Sequence, residues 1–325
     1  MTAMFKYLFK TYIADGREYY EFGETTTGMQ KVKRKDLPFP ESLMTLLYMD
    51  IWEIEPITRK MVAALRSFYQ TKDLDDLYEV MKGLDELAPK HIYFELFRLD
   101  WLKRIDTAAD TSYRDANKKL PYKEISHLCS NIDTMQKQIK GLIAQALDID
   151  GEKKPLAQKM VEYYNAEGRD ALNTFQFKPQ PMNFEVIDRK VFAEVLYPAD
   201  IYDLIDYHVR ECVKREVKMR VCKNCLRYFA VTRKASTEYC DRVCDSKGRT
   251  CREIGAINIW TKSKSDDEVF KEYRREYKKR FARINAGRLT KTAFYAWSEE
   301  ARRRKEDCDS GVITAEEFSQ WLKES

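Results

Sequence analysis

Four short stretches dominate what this chain can become. They read Val221-Cys-Lys-Asn-Cys225, Leu226-Arg-Tyr-Phe229, Thr237-Glu-Tyr-Cys240-Asp-Arg-Val-Cys244 and Gly248-Arg-Thr-Cys251. Two residues between Cys222 and Cys225 let both sulfurs face one ion while backbone N–H groups point at them. A second pair of cysteines further along completes a tetrahedral set. The spacing therefore predicts one structural Zn2+ held by Cys222, Cys225, Cys240 and a fourth cysteine. Cys244 and Cys251 both compete for the fourth place. Thr250-Cys-Arg-Glu253 has the form of a capping box, which puts Cys251 at a helix start where the dipole favours a thiolate. A treble-clef-like site takes its last ligand from such a position, so Cys251 is preferred. Tyr228, Phe229, Val231, Thr232, Thr237 and Tyr239 are β-type residues and predict a short hairpin between the cysteine pairs. A redox Cys-x-x-Cys would need a thioredoxin-like βαβ context, which the pattern lacks. Cys212, one turn after His208, reads as core, and Cys129 and Cys308 read as structural.

The charge around this cluster is uneven. From Arg210 to Glu253 there are 13 basic and 6 acidic residues. Residues 201–325 carry 29 Lys/Arg against 21 Asp/Glu, and residues 1–200 carry 29 against 32. The basic half is the natural face for a polyanion. Arg227, Arg233, Lys234, Arg242, Lys247, Arg249 and Arg252 are the candidate contacts to a DNA or RNA backbone. The run Lys271–Arg280 is a second basic stretch, which reads more simply as solvated helix with pairs such as Glu276 with Arg280.

At 325 residues the chain is long for one core. With 44 % hydrophobic residues it can bury one, which excludes general disorder. Only 11 Gly and 9 Pro argue against a turn-rich β-sandwich or propeller. The expected class is mainly α: a helical domain over 1–174, with a β-hairpin at 5–22 suggested by Asp15-Gly16, a linker and connecting helix over 175–219, a zinc module over 220–260 and a helical hairpin repeat over 261–325. Phe175–Val186 reads as extended chain joining the halves. Tyr122–Ile149 reads as one long helix from its spacings of three and four.

The C-terminal repeat is Gly287-x-Leu-Thr290-x3-Phe294-x2-Trp297 and Gly311-x-Ile-Thr314-x3-Phe318-x2-Trp321. Each Gly ends one helix and each Thr caps the next. Phe and Trp three apart share a face, so all four aromatics are expected to pack inward. Asp307–Glu317 imitates a calcium loop, but its aspartates fall one residue out of register.

No phosphate-binding glycine loop, nucleophile elbow or paired-histidine zinc motif occurs. His91, His127 and His208 fall in separate helical patterns. Asp75-Asp76 and Asp203-x2-Asp206 read as solvated helix faces. No catalytic constellation and no small-molecule cofactor is expected, so the chain reads as a non-enzyme. No apolar run approaches the roughly 20 residues that cross a bilayer, and the first ten residues lack a signal-peptide pattern. A cytoplasmic, reducing setting without a membrane partner follows, which favours thiols over disulfides.

Cys222-x2-Cys225-x2-Tyr228-Phe229 followed by Glu238-Tyr-Cys240 resembles the zinc modules of CGNR-type bacterial proteins. That resemblance implies DNA binding. Asp203-Leu-Ile-Asp-Tyr207, Arg220-Val-Cys-Lys-Asn-Cys225, Gly248-Arg-Thr-Cys-Arg-Glu-Ile-Gly255 and the C-terminal repeat are similar to an uncharacterised family of bacterial proteins, often carried on mobile genetic elements. The likeness spans about Asp200–Ser325 and implies no established activity. The function expected is a zinc-finger-containing nucleic-acid-binding or regulatory protein. The alternative is a protein-interaction adaptor whose zinc is purely structural.

Overall fold

Asp15 and Gly16 both take left-handed φ values, 49° and 70°, as a two-residue type I′ turn requires. They join β1 (Tyr7–Ala14) to β2 (Arg17–Thr26), which pair antiparallel with Ala14 opposite Arg17. The computed structural model describes residues 7–26, 29–109, 120–168, 173–232, 234–265 and 267–325. β3 (Met29–Pro38) continues the meander on the far side of β2. β4 (Met182–Ile187) and β5 (Val191–Leu196) form a second hairpin, and β5 docks on β1 through Thr11–Leu196 and Tyr12–Val195. The sheet order is β3-β2-β1-β5-β4.

This corrects two expectations. The 5–22 hairpin is part of a five-stranded antiparallel sheet, and the extended stretch before residue 187 supplies an edge strand of it. One long side chain links the two ends of the sheet. Arg34 of β3 holds Asp188, in the β4–β5 turn, at 2.7 and 3.0 Å. On that face a small core gathers Tyr12, Ile187, Ala193 and Val195.

The other face carries helices. α1 (Glu41–Leu47), α2 (Glu55–Thr71), α3 (Leu74–Leu87) and α4 (Ile92–Ala109) follow the meander. Ile92, Tyr93, Phe94, Leu96, Phe97, Leu99, Trp101 and Leu102 are all buried, so α4 is apolar nearly all round, as a central helix must be. The single helix expected over 122–149 is broken. His127, at φ −98° and ψ 1°, separates α5 (Tyr122–Ser126) from α6 (Leu128–Leu142), and a π-turn over Ile143–Leu147 ends the run. α7 (Leu156–Asn165) precedes β4. α8 (Ile201–Lys214) starts at Asp200, whose carboxylate caps Tyr202 and Asp203 N–H groups. It buries Ile201, Leu204, Ile205, His208, Val209 and Cys212, so the His208–Cys212 pair is core.

The chain divides into two units: Met1–Val221 with Arg227–Ser236, and Cys222–Leu226 with Thr237–Ser325. The first contains the elements above and the short ladder of β6 (Met219–Val221) with β7 (Tyr228–Ala230). Tyr228 and Phe229 thus pair with the strand before the cysteines, not with residues 237–239 as expected. Two residues between Cys222 and Cys225 leave only a tight loop, and that loop connects the two strands.

The second unit holds α9 (Cys251–Ser265), α10 (Glu268–Asn285), α11 (Lys291–Asp309) and α12 (Ala315–Glu324). Gly287 and Gly311 are left-handed at 66° and 79°. Thr290 caps the Ala293 N–H at 3.2 Å, and Thr314 with Glu317 forms a full capping box. Phe294 and Phe318 are buried, whereas Trp297 and Trp321 are half-buried and stack face to face at 6.3 Å. Arg280 lies over Trp297 and Arg304 over Trp321. The expectation that all four aromatics pack inward thus holds for the two Phe, while each half-buried Trp carries an Arg over its ring. Residues 306–309 belong to α11, so the first part of the mock calcium loop is helix, and residues 310–314 form the turn into α12. Among the described residues no helix is long and apolar enough to cross a membrane.

Candidate functional site

The knuckle is built by backbone geometry. Leu226 takes a left-handed φ of 57°, which folds its N–H back onto the Cys222 carbonyl at 2.9 Å. Lys223 N–H reaches the Glu238 carbonyl at 3.1 Å and so ties the knuckle to the segment bearing Cys240. The Cys240 N–H then points at the Cys222 sulfur, 3.4 Å away. Residues 242–251 form a tight loop: Cys251 N–H reaches the Arg242 carbonyl, and Arg252 N–H reaches the Cys240 carbonyl. The expected capping box is present. Thr250 N–H donates to Glu253 Oε2 at 2.6 Å, and Glu253 N–H donates to Thr250 Oγ1 at 3.3 Å. It sets Cys251 as the first residue of α9.

These devices bring Cys222, Cys225, Cys240 and Cys251 together, with all four sulfurs within 4.8 Å of one another. Such a group could hold a metal ion. Cys244 is exposed, and its thiol turns to the Arg249 carbonyl at 3.5 Å. Asn224 Nδ2 donates to the Cys251 sulfur at 3.2 Å, and Asn258 Nδ2 of α9 donates to Asn224 Oδ1 at 3.2 Å. Gly255 is needed here. A Cβ on it would run into the Tyr239 ring and meet Asn224 Cβ at 3.1 Å.

The thiols titrate apart. Burial pushes Cys222 up, but the N–H groups of Cys225, Cys240 and Asn224 outweigh it and bring the thiol down to about 7. Burial, aided by the neighbouring sulfurs, pushes Cys240 up to about 11 and raises Cys251 further. Without a cation the site favours a thiolate at Cys222 and resists one at Cys240 and Cys251. A divalent cation reverses that balance.

The candidate phosphate contacts are distributed unequally. Arg242 approaches the Cys240 sulfur at 3.8 Å. Arg249 is paired with Asp245 and Arg252 with Asp241, both at 2.7 Å. Lys247 is exposed beside them. Arg227 and Lys234 belong to the first unit and are exposed, with Arg227 over the Tyr48 ring. Arg233 lies outside the described residues. In the second basic stretch, Glu276 pairs with Lys279 at 3.1 Å rather than with Arg280.

A second constellation went unread in the sequence. Glu18, Tyr20, Ser42, Tyr93 and His208 are almost completely buried together in the first unit. Glu18 accepts from Ser42 N–H and Oγ at 2.6 Å, from Tyr20 at 2.9 Å and from His208 Nε2 at 2.8 Å. His208 Nδ1 lies 2.8 Å from the Leu204 carbonyl. His208 Nε2 also lies 2.9 Å from the Tyr20 hydroxyl, so both ring nitrogens are engaged. Burial alone would raise the Glu18 carboxyl; His208 and Ser42 outweigh it and hold it below its ordinary value. His91 joins through the Ser42 carbonyl at 3.0 Å, and burial pushes it down to about 4. The available signal was a Glu on the strand face shared with Tyr20 and Phe22. Asp206 is a related correction. It is buried, and accepts from the Lys178 N–H at 2.7 Å and from Arg210, so it is no solvated face.

Residues 175–324 match the model of a family of unknown function (DUF6076). No curated protein and no solved structure matches the chain.

Proposed function

We propose that the chain is a zinc-finger-containing nucleic-acid-binding or regulatory protein, with one Zn2+ held by Cys222, Cys225, Cys240 and Cys251 in a treble-clef-like module. The observation that carries the metal is the closeness of four thiols within 4.8 Å. An all-sulfur, four-donor set suits Zn2+, which takes a closed tetrahedron in structural sites. The bound ion would supply folding energy, and the chain's own groups would trim its surplus charge. Four thiolates leave the centre at −2, and Arg242, Asn224 and the start of α9 all point positive ends at sulfur.

Nucleic-acid binding is supported by the 13 basic against 6 acidic residues from Arg210 to Glu253. Lys234 and Lys247 stand exposed, with Arg227 and Arg249 also on the surface. The link to CGNR-type modules rests on the quoted cysteine and aromatic spacing, and the link to bacterial mobile elements on the quoted stretches at 203–207, 220–225 and 248–255 and on the C-terminal repeat. Fluorescence anisotropy with short duplex and single-stranded probes tests the reading. Binding should weaken steeply with salt, and changing Arg233, Lys234, Lys247 and Arg249 to Ala should remove most of it. No binding to any probe at low salt sinks it. One observation favours the adaptor reading: Leu226, Val243 and Ile257 of the second unit are 76 %, 63 % and 65 % exposed. Absent nucleic-acid binding, those three positions become the ones to change.

A further inference from the structure

β4 is the last strand of its sheet, and among the described residues its outer edge has no partner strand. Its helix-side face is also bare. Phe184, Val186 and Phe192 are 69 %, 65 % and 71 % exposed. Val186 sits opposite Phe192 in the ladder, and the Phe184 and Phe192 rings stack at 5.5 Å and 12°. An open edge beside an apolar patch is an interaction surface by its physics.

The backbone tells which residues face outward. Ile187 turns its carbonyl toward β5, where it accepts the Lys190 N–H at 3.0 Å. By alternation, Phe184 and Val186 turn their N–H and C=O groups to the open edge. Antiparallel self-pairings that use those groups of both Phe184 and Val186 within the strand are centred on Glu185 or on Phe184. The first sets two carboxylates directly opposite, which is unfavourable. The second sets Phe184 against Phe184, Met182 against Val186, and the Asn183 amide against the Glu185 carboxylate. The apolar positions then meet apolar ones, while Glu185 keeps its own-chain partners Lys10 at 3.1 Å and Tyr197 at 2.6 Å.

We propose that β4 pairs with β4 of a second copy of this chain, antiparallel and centred on Phe184, so that two five-stranded sheets become one of ten strands. The three exposed side chains offer on the order of 350 Å² per copy, judged from typical aromatic areas. Edge pairing joins the backbones and covers only part of that area, mainly at Phe184, so the interface is small. Such an interface lies toward the low end for specific ones and sets a reversible dimer.

Sedimentation velocity of the zinc-loaded full chain, from about 1 to 200 μM, reads the dimer directly; the micromolar range follows from the small interface. Phe184→Lys should shift the chain to monomer across that range. Tyr295→Lys, an exposed aromatic elsewhere at 62 %, should not. Register is read by cross-linking in a Cys244→Ser background. Asn183→Cys chains mixed with Glu185→Cys chains should form a disulfide-linked dimer under mild oxidation, and neither variant alone should. A monomer at every concentration overturns the proposal, as does a dimer that survives Phe184→Lys. Self-cross-linking of Glu185→Cys alone overturns the Phe184 register. A chain that stays monomeric and captures a different protein through Phe184 assigns the edge to another occupant, and equally overturns it.

Discussion

Each unit brings ionisable side chains from distant positions into one place, and the two gatherings end differently. Around Glu18 in the first unit, donors and acceptors are matched: a carboxylate meets two hydroxyls, a backbone N–H and an imidazole. That cluster closes on itself. Around Cys222 in the second unit, four groups of one kind meet, and Asn224, Arg242 and a few N–H groups are too few to satisfy them as thiolates. A matched network stabilises without help and serves the fold. A cluster of four thiols could hold a cation, which would supply the opposite charge that four thiolates lack.

The largest effect expected from this contrast is metal removal. One zinc per chain should be measured by elemental analysis. A strong chelator should unfold the segment around Cys240 and Cys251, because structural zinc contributes roughly 10–16 kcal/mol in small modules. The transition of the first unit should stay in place. If both units keep their melting profiles after chelation, the thiol cluster is as self-sufficient as the Glu18 cluster and the contrast fails.

Next in size is Glu18→Ala, which leaves His208 buried without its carboxylate. Urea denaturation should show the first unit weakened by about 3–5 kcal/mol, with the second unit's metal content unchanged. A loss under 1 kcal/mol would mean that the network is not a charged pair.

The smallest effect is acid sensitivity. His91 stays neutral in the fold down to about 4, while in the unfolded chain it takes a proton near 6.5. Its contribution is fully present above 6.5 and is lost as pH falls from there toward 4, to a total of roughly 3 kcal/mol. Glu18, with its carboxyl held low, contributes above its unfolded value and loses that contribution only at more acidic pH. His91→Gln should flatten the stability curve between pH 6.5 and 4. An unchanged slope would remove His91 from the cluster.

What could be read in advance follows the same division. The knuckle spacing, the Thr250–Glu253 box and the Gly287 and Gly311 caps are local features, formed within a few residues, and short patterns report them. The Asp15-Gly16 turn is local too, and it named the first hairpin. The sheet that hairpin joins is not local. β5 pairs with a strand about 180 residues earlier, and β4 lies at an edge where Phe184 and Val186 escape the apolar-in alternation that marks a half-buried strand. The Glu18 cluster draws on β2, α1, α4 and α8, so no window of sequence contains it. The break at His127 was hidden because apolar spacing carries on through it.

The same long-range pairing has a consequence for how the chain is made. Thr11 and Tyr12 leave the ribosome early, but their partners Val195 and Leu196 emerge only after some 180 further residues. At about 5–20 residues per second, that is a delay on the order of 10–40 s. Throughout it β1 has β2 on one side and a bare backbone edge on the other. The meander waits with that edge uncovered, and an uncovered strand edge is a template for pairing with another chain until residues 195–196 arrive.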